Sequence, residues 1–465
     1  MTKAIRYPIR RDKANWLQLL FAVTYVLVSV SVAKAGDTLD CRIGIYRMSD
    51  GRALDIAPAG ADTLRWRRFD GSTGLLARNS SGTWTSTFGW TGRPDGKSAR
   101  FPECGEGQIA FDGLNGRRID LDVTETTFSS HGVTLSGRLL LPKGSTVVPV
   151  VVLVHGAEHD SARDYNALQR MLPAEGIGAF VYDKRGTGAS GGTYSQDFAL
   201  LADDVVAAKR QAQRLAGSRA GRVGYQGGSQ AGWVIPVAVN LEPVDFAIVC
   251  FGLAVSVIDE DRQQVELEMR DKGRTPAEIS QALQVASAAE AVIASGFTEG
   301  FREFDALRAL YKEAAWYGDL HGNFTYMLLP HTEAELRDLG PKFAWGTPFF
   351  HDPMQALRAN RAPQLWILGA ADYEAPSGET SYRIKSLIAD GRPYTLAVYP
   401  GAEHGMTLFE LDPETGERLS TTFAPRYFDL IRDYARDGKL QESYGNAELT
   451  LPRDVSPSES RKHKR

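Results

Sequence analysis

The sequence predicts an α/β fold: a mostly parallel central sheet with helices on both faces, an N-terminal β-rich module and a helical insertion. Three observations predict it. From about Val123 short apolar segments alternate with stretches of helical spacing. The run Val148–Val154 is apolar at every position except Pro149, as a strand covered on both faces must be. Before Val123 the pattern differs, with short segments at 42–46, 63–69, 74–77 and 83–88 separated by Asp-Gly, Ser-Gly and Pro-Asp-Gly turns. That punctuation belongs to antiparallel strands.

The composition bounds the rest. With 465 residues, 43% hydrophobic, 24% charged and 3 Cys, the chain is neither disordered nor a disulfide-dense scaffold, and its length suits two or three domains. The net charge is −4. Without residues 1–35, which hold six of the basic residues and one Asp, it becomes −9, so a nucleic-acid partner is not expected.

Residues 1–35 read as a secretory signal peptide. Lys3, Arg6, Arg10, Arg11 and Lys13 precede an apolar run over 16–32, and Ala33-Lys34-Ala35 supplies a small-x-small cleavage site. A retained anchor is the competing reading of a run this long. The expectation is an exported protein, periplasmic or secreted, with no stable membrane association after cleavage. Export permits disulfides. Cys41 and Cys104 lie in polar, turn-rich sequence and are expected to pair, whereas Cys250 lies in the apolar run 246–251 and reads as a buried thiol.

The expected organisation places the β-rich module at 37–122 and the first part of the α/β core at 123–255. A helical insertion, read as a lid, follows at 256–350, then the second part of the core at 351–440 and a polar tail at 441–465. Within the insertion, Thr275-Pro276-Ala277-Glu278 carries a cap, a proline at the first helical position and a capping-box glutamate. Strands resume at 363–368 and 395–399. The insertion holds twelve aromatic residues between Phe297 and Phe350, which either line an apolar acyl pocket or pack the insertion itself.

The residues that carry chemistry lie in the core. A strand at 222–226 runs into Gly227-Gly228-Ser229-Gln230-Ala231-Gly232-Trp233 and then apolar helical sequence, which puts Ser229 on a strand-to-helix turn. Small neighbours let the backbone bend there and project the hydroxyl, although Ala231 stands where the nucleophile-elbow pattern has Gly. A serine needs a base, and the base needs a carboxylate to orient it. His404, in Pro400-Gly401-Ala402-Glu403-His404-Gly405, follows the strand at 395–399, and Asp372 follows the strand ending at Leu368. Glu374 is the rival acid. The sequence Gly186-Thr187-Gly188-Ala189-Ser190-Gly191 matches a dinucleotide pattern, but no helix begins soon enough after it, so it reads as a packed loop. His155, His159 and Asp160 lack the spacing of a zinc motif, and neither a metal nor a cofactor is expected.

The order Ser229, Asp372, His404, together with His155-Gly156, Asp183-Lys184-Arg185-Gly186-Thr187-Gly188, Ser229-Gln230-Ala231-Gly232-Trp233 and His404-Gly405, resembles the α/β-hydrolase superfamily from about Val123 to Asp437. Within it the chain looks most like the serine-aminopeptidase-like hydrolases and the bacterial EstD-type esterases. The resemblance implies a serine esterase acting on a small-molecule ester, with the backbone N–H groups of Ala157 and Gln230 as oxyanion hole. An aminopeptidase, with Asp259, Glu260 or Asp261 gripping a substrate amine, is the alternative, and a catalytically silent binding protein on the same fold is a third reading.

Overall fold

The structure, a computed structural model, describes residues 39–102 and 106–452. The expected leader (1–35) and Cys104 lie outside the described residues, and with Cys104 the expected partner of Cys41; Cys250 is a free, fully buried thiol.

The first module is a closed antiparallel barrel of eight strands, β1 (Gly44–Met48) through β8 (Leu114–Arg118), in which β8 returns to pair with β1. Alternate residues point inward, so Tyr46, Leu54, Ile56, Leu64, Trp66, Leu76, Trp84 and Phe111 fill its interior. Closure removes the edges that so many short strands would otherwise expose.

The second unit is a nine-stranded sheet. Its strands are β9 (Leu121–Ser130), β10 (Val133–Pro142), β11 (Val148–Val154), β12 (Gly178–Tyr182), β13 (Ala220–Gly228), β14 (Phe246–Cys250), β15 (Gln364–Gly369), β16 (Tyr394–Tyr399) and β19 (Glu448–Thr450). They run in the order β19-β16-β15-β14-β13-β11-β12-β10-β9. From β12 to β16 neighbours are parallel, with helices on both faces, and Val150, Val151 and Val152 are fully buried as their apolar run requires. The chain passes from β11 outward to β12 and then returns to the opposite side of β11 as β13. That reversal opens a crevice at the carboxyl ends of β11 and β13.

The stretch 441–465, expected as a polar tail, is in its first part a piece of the fold: Tyr444 is completely buried and β19 pairs antiparallel with β16. Three residues of strand are too few to show period-two alternation, which is why the sequence hides them. A hairpin, β17 (Thr407–Leu411) and β18 (Arg418–Phe423), was equally hidden and forms a separate two-stranded sheet just after His404.

Between β14 and β15 lies a helical insertion, its helices running from Val257 to Ala359, a little past the expected boundary. The capping box at Thr275 is present, Thr275 N donating to Glu278 Oε2 (2.8 Å) and Glu278 N to Thr275 Oγ1 (3.3 Å). Its aromatics Phe297, Phe301, Phe304 and Trp316 are buried against Val285, Val292 and Ile293 in a core of their own. A cavity of about 320 Å³ there is lined by Phe297, Phe349 and Phe350 among others and includes none of Ser229, Asp372 and His404. Packing the insertion is therefore what most of these rings do. Among the described residues no helix is long and apolar enough to cross a membrane.

Candidate active site

Ser229 sits at the crevice, on the turn between β13 and the helix Ala231–Leu241. Its φ of 54° is left-handed, a strained state for a residue with a Cβ, and Ser229 N is held by Cys250 O of β14 (3.0 Å). The departure at Ala231 has a steric explanation. A Cβ on Gly227 would lie 2.5 Å from the Ala231 methyl, so the missing side chain of one makes room for the other. Gly232 in turn packs against Gly252, where a Cβ would lie 2.8 Å from the backbone.

Asp372 and His404 follow β15 and β16, and the two loops are stitched together by Ala370 N to Tyr399 O (3.0 Å) and Ala371 N to Ala402 O (3.0 Å). His404 Nδ1 lies 3.0 Å from Asp372 Oδ2, and Ala375 N donates to Asp372 Oδ1 (2.8 Å). Asp372 is fully buried. Phe251 connects this pair to the serine turn: its ring meets His404 edge-on (4.9 Å, 72°), and a Cβ on Gly228 would collide with it at 2.2 Å. The rival acid Glu374 is half-exposed and stands on the other side of the imidazole, 3.6 Å from Nε2.

The electrostatics follow from that placement. Burial works against a charged His404, but the carboxylates of Asp372, Glu374 and Glu260 outweigh it, and the imidazole is pushed up from its usual range. Glu260 is buried, and desolvation, reinforced by Glu374, Asp261 and Asp372, pushes its carboxyl well above the ordinary range. The acidic trio divides. Asp259 lies in the first turn of its helix and accepts from the N-cap Ser256 (Oγ to Oδ2, 2.7 Å), and Asp261 accepts from Phe324 N (2.5 Å) and from Thr325 N and Oγ1 (3.1 and 2.6 Å), tying the insertion together. Only Glu260 is left to face the site.

Across the crevice, β11 and β13 run parallel with Val154 opposite Gly227, which sets the loop at 155–157 beside Gly228–Gln230. The N–H groups of Ala157 and Gln230 donate no hydrogen bond among the described residues. His155 braces this loop, its Nε2 2.9 Å from Asp160 O. His159 stacks on Tyr194 (3.7 Å), and Trp345 of the insertion meets both rings edge-on at 5.4 Å. The glycine-rich 186–191 wraps the buried Asp183, whose carboxylate accepts from Ser161 Oγ, Arg163 N and Ala189 N at 2.7–3.1 Å. No helix begins until Phe198, so this is a packed loop.

Lys184 lies on the loop after β12. It is 2% exposed, and its Nζ donates to Gly156 O (2.6 Å) and Gln230 Oε1 (3.3 Å) and lies 4.3 Å from the Tyr194 ring. Burial pushes its ammonium down to about 8, against the pull of the Glu158 carboxylate. Its signal in the sequence is a lysine two residues past a wholly apolar strand, where a charge must find partners at the sheet's carboxyl edge.

A sheet with this reversal, a serine on the turn after the central strand and a His–Asp pair after the two strands beyond, defines an α/β-hydrolase. Residues 146–271 match the family Hydrolase_4, Serine aminopeptidase, S33. No curated protein matches the chain. Among solved structures it is similar to an esterase of Pyrococcus furiosus (13% identity, 61% of this chain and 84% of that one, TM-score 0.39). It is also similar to an acylaminoacyl peptidase of Pyrococcus horikoshii (14% identity, 84% of this chain and 57% of that one, TM-score 0.41).

Proposed function

We propose that the protein is an exported serine hydrolase of carboxylic esters. The observation that carries this reading is the strained Ser229 across Phe251 from the His404–Asp372 pair. Ser229 Oγ attacks the ester carbonyl carbon while His404 Nε2 takes its proton, and the carbonyl oxygen becomes an oxyanion held by the N–H groups of Ala157 and Gln230. His404 then gives the proton to the leaving alcohol, and the acyl group stays on Ser229. A water attacks that acyl group, His404 takes the water's proton and returns it to Ser229, and the carboxylic acid leaves. Asp372 orients the imidazole and balances its charge. No cofactor enters these steps.

The aminopeptidase reading draws support from Glu260 and from Glu374, 3.6 Å from His404 Nε2, because a substrate amine needs a carboxylate partner. A panel of p-nitrophenyl esters beside aminoacyl anilides separates the two. Ester turnover insensitive to Glu260→Gln, within about tenfold, supports the esterase; anilide turnover lost in that variant supports the peptidase. The insertion serves as a lid in either case, with Trp345 over the loop at 155–159.

Export and a Cys41–Cys104 disulfide complete the proposal. The bridge would close a loop of about 60 residues and stabilise the barrel by about 4 kcal/mol in the chain-entropy model. Peptide mapping of periplasm-derived protein without reductant should recover the linked pair; two alkylatable thiols would reject it.

A further inference from the structure

We propose that Lys184 is a positioning residue for the oxyanion hole, acting through the peptide group that joins Gly156 to Ala157; this rests on the reading that Ala157 and Gln230 receive the oxyanion. Gly156 C=O and Ala157 N–H belong to one planar, trans peptide unit, so whatever fixes the carbonyl fixes the N–H on its other side. Lys184 Nζ donates to that carbonyl at 2.6 Å. The same ammonium reaches Gln230 Oε1 at 3.3 Å, on the residue that supplies the second donor. One buried cation thus spans the two chain segments, after β11 and after β13, whose N–H groups must converge on a single oxygen. A cation on a carbonyl also draws electron density along the amide, leaving the Ala157 hydrogen more positive. Tyr194 helps hold the arrangement: its hydroxyl donates to Ala157 O (2.5 Å), and its ring faces Nζ at 4.3 Å. Trp345 packs edge-on against Tyr194, which links the insertion to the next peptide of the same loop.

Bracing of this kind costs a buried charge. The fold gains little from it, since hydrogen bonds to two neutral oxygens, Gly156 O and Gln230 Oε1, offset only part of the cost of taking an ammonium out of water. A purely structural lysine and a positioning lysine therefore differ in what Lys184→Met does.

The test compares the full-length wild-type protein with Lys184→Met and Lys184→Gln. The readouts are p-nitrophenyl acetate kinetics, inhibition by an aryl trifluoromethyl ketone, which forms a tetrahedral oxyanion on the serine, and thermal unfolding. Expected for Lys184→Met are a kcat lower by about 10- to 100-fold, a KM within about twofold, ketone affinity weakened in step with kcat, and an unchanged or raised Tm. Lys184→Gln, polar but uncharged, should show the same split to a smaller degree. A kcat within about twofold of wild type, a loss appearing only in KM, or two variants that do not fold would overturn the proposal. Labelling of the wild-type protein by a fluorophosphonate, abolished in Ser229→Ala, tests the underlying reading separately, because it does not depend on Lys184.

Discussion

The N-terminal barrel meets the sheet unit through main-chain contacts, ion pairs and apolar side chains such as Ile45 and Ala53, whereas the helical insertion brings aromatic rings and carboxylates to the site. On one side of the barrel Asp55, fully buried, pairs with Arg170 (2.6 Å) and Arg67 (3.4 Å). On another, Trp90 N donates to Ser420 O (2.9 Å), Phe423 N to Gly71 O (2.9 Å), and Arg93 pairs with Glu410 (2.5 Å). Those partners lie on the β17–β18 hairpin, whose Ser420 Oγ donates to Glu403 (2.5 Å) and whose Arg418 donates to Ala371 O (2.6 Å) and stacks on Tyr373 (3.6 Å). The barrel so holds the hairpin that holds the turns of His404 and Asp372. The insertion contributes Glu260 and Trp345 to the site's surroundings. The lesson is that a module contributing none of Ser229, Asp372 and His404 can fix geometry, while the module nearest the site sets its charge and its cover.

If both modules serve three side chains on the sheet, changes at those side chains must cost most. Ser229→Ala and His404→Ala should each lower kcat by about 10⁴-fold or more, with the double variant little worse, because triad members act as a unit. Asp372→Asn should follow closely with the fold intact, measured by steady-state kinetics and circular dichroism. Damage from Glu374→Gln with none from Asp372→Asn would reassign the acid.

Next in size is the barrel's attachment. Asp55→Ala leaves Arg170 buried without its partner and should destabilise by about 3–5 kcal/mol in urea unfolding, with kcat of the folded fraction unchanged. Gly89→Val acts differently. Gly89 has φ +54°, and a Cβ there would lie 1.8 Å from Thr421 O, so the hairpin must move. Small displacements of catalytic groups cost up to about 100-fold, and a kcat as high as wild type would break the idea that the barrel braces His404.

The insertion's effect is smaller and shows in pH. The carboxylates around His404 favour its charged form, and a general base must be neutral, so kcat/KM should rise with pH through a midpoint above the usual histidine range. Glu374, on the loop after β15, acts in the same direction as the insertion's Glu260, and Glu374→Gln should move that midpoint down. For stability, the carboxyl of Glu260 is raised in the folded state, so its contribution is complete below the ordinary carboxyl range and is lost as pH climbs through its folded value. Glu260→Gln should accordingly raise Tm more at pH 8 than at pH 5. An equal change at both would mean that Glu260 is not held neutral.

What the sequence determined by itself is what local pattern can encode. Val148–Val154 announced a strand covered on both faces, Thr275 to Glu278 announced a helix start, and the small residues around Ser229 announced a tight turn, because strand, cap and turn each depend on neighbours a few residues away. The order of Ser229, Asp372 and His404 was legible too, since each directly follows a strand of the sheet. Only the tertiary structure decided which of Asp259, Glu260 and Asp261 faces the site, on which side of His404 Glu374 stands, and that Lys184 bridges Gly156 and Gln230. It alone set Gly89 against Thr421 and paired residues 448–450 with β16. The physical reason is separation: these contacts join residues tens to hundreds of positions apart, and no periodicity or turn chemistry records which distant backbone a side chain will meet.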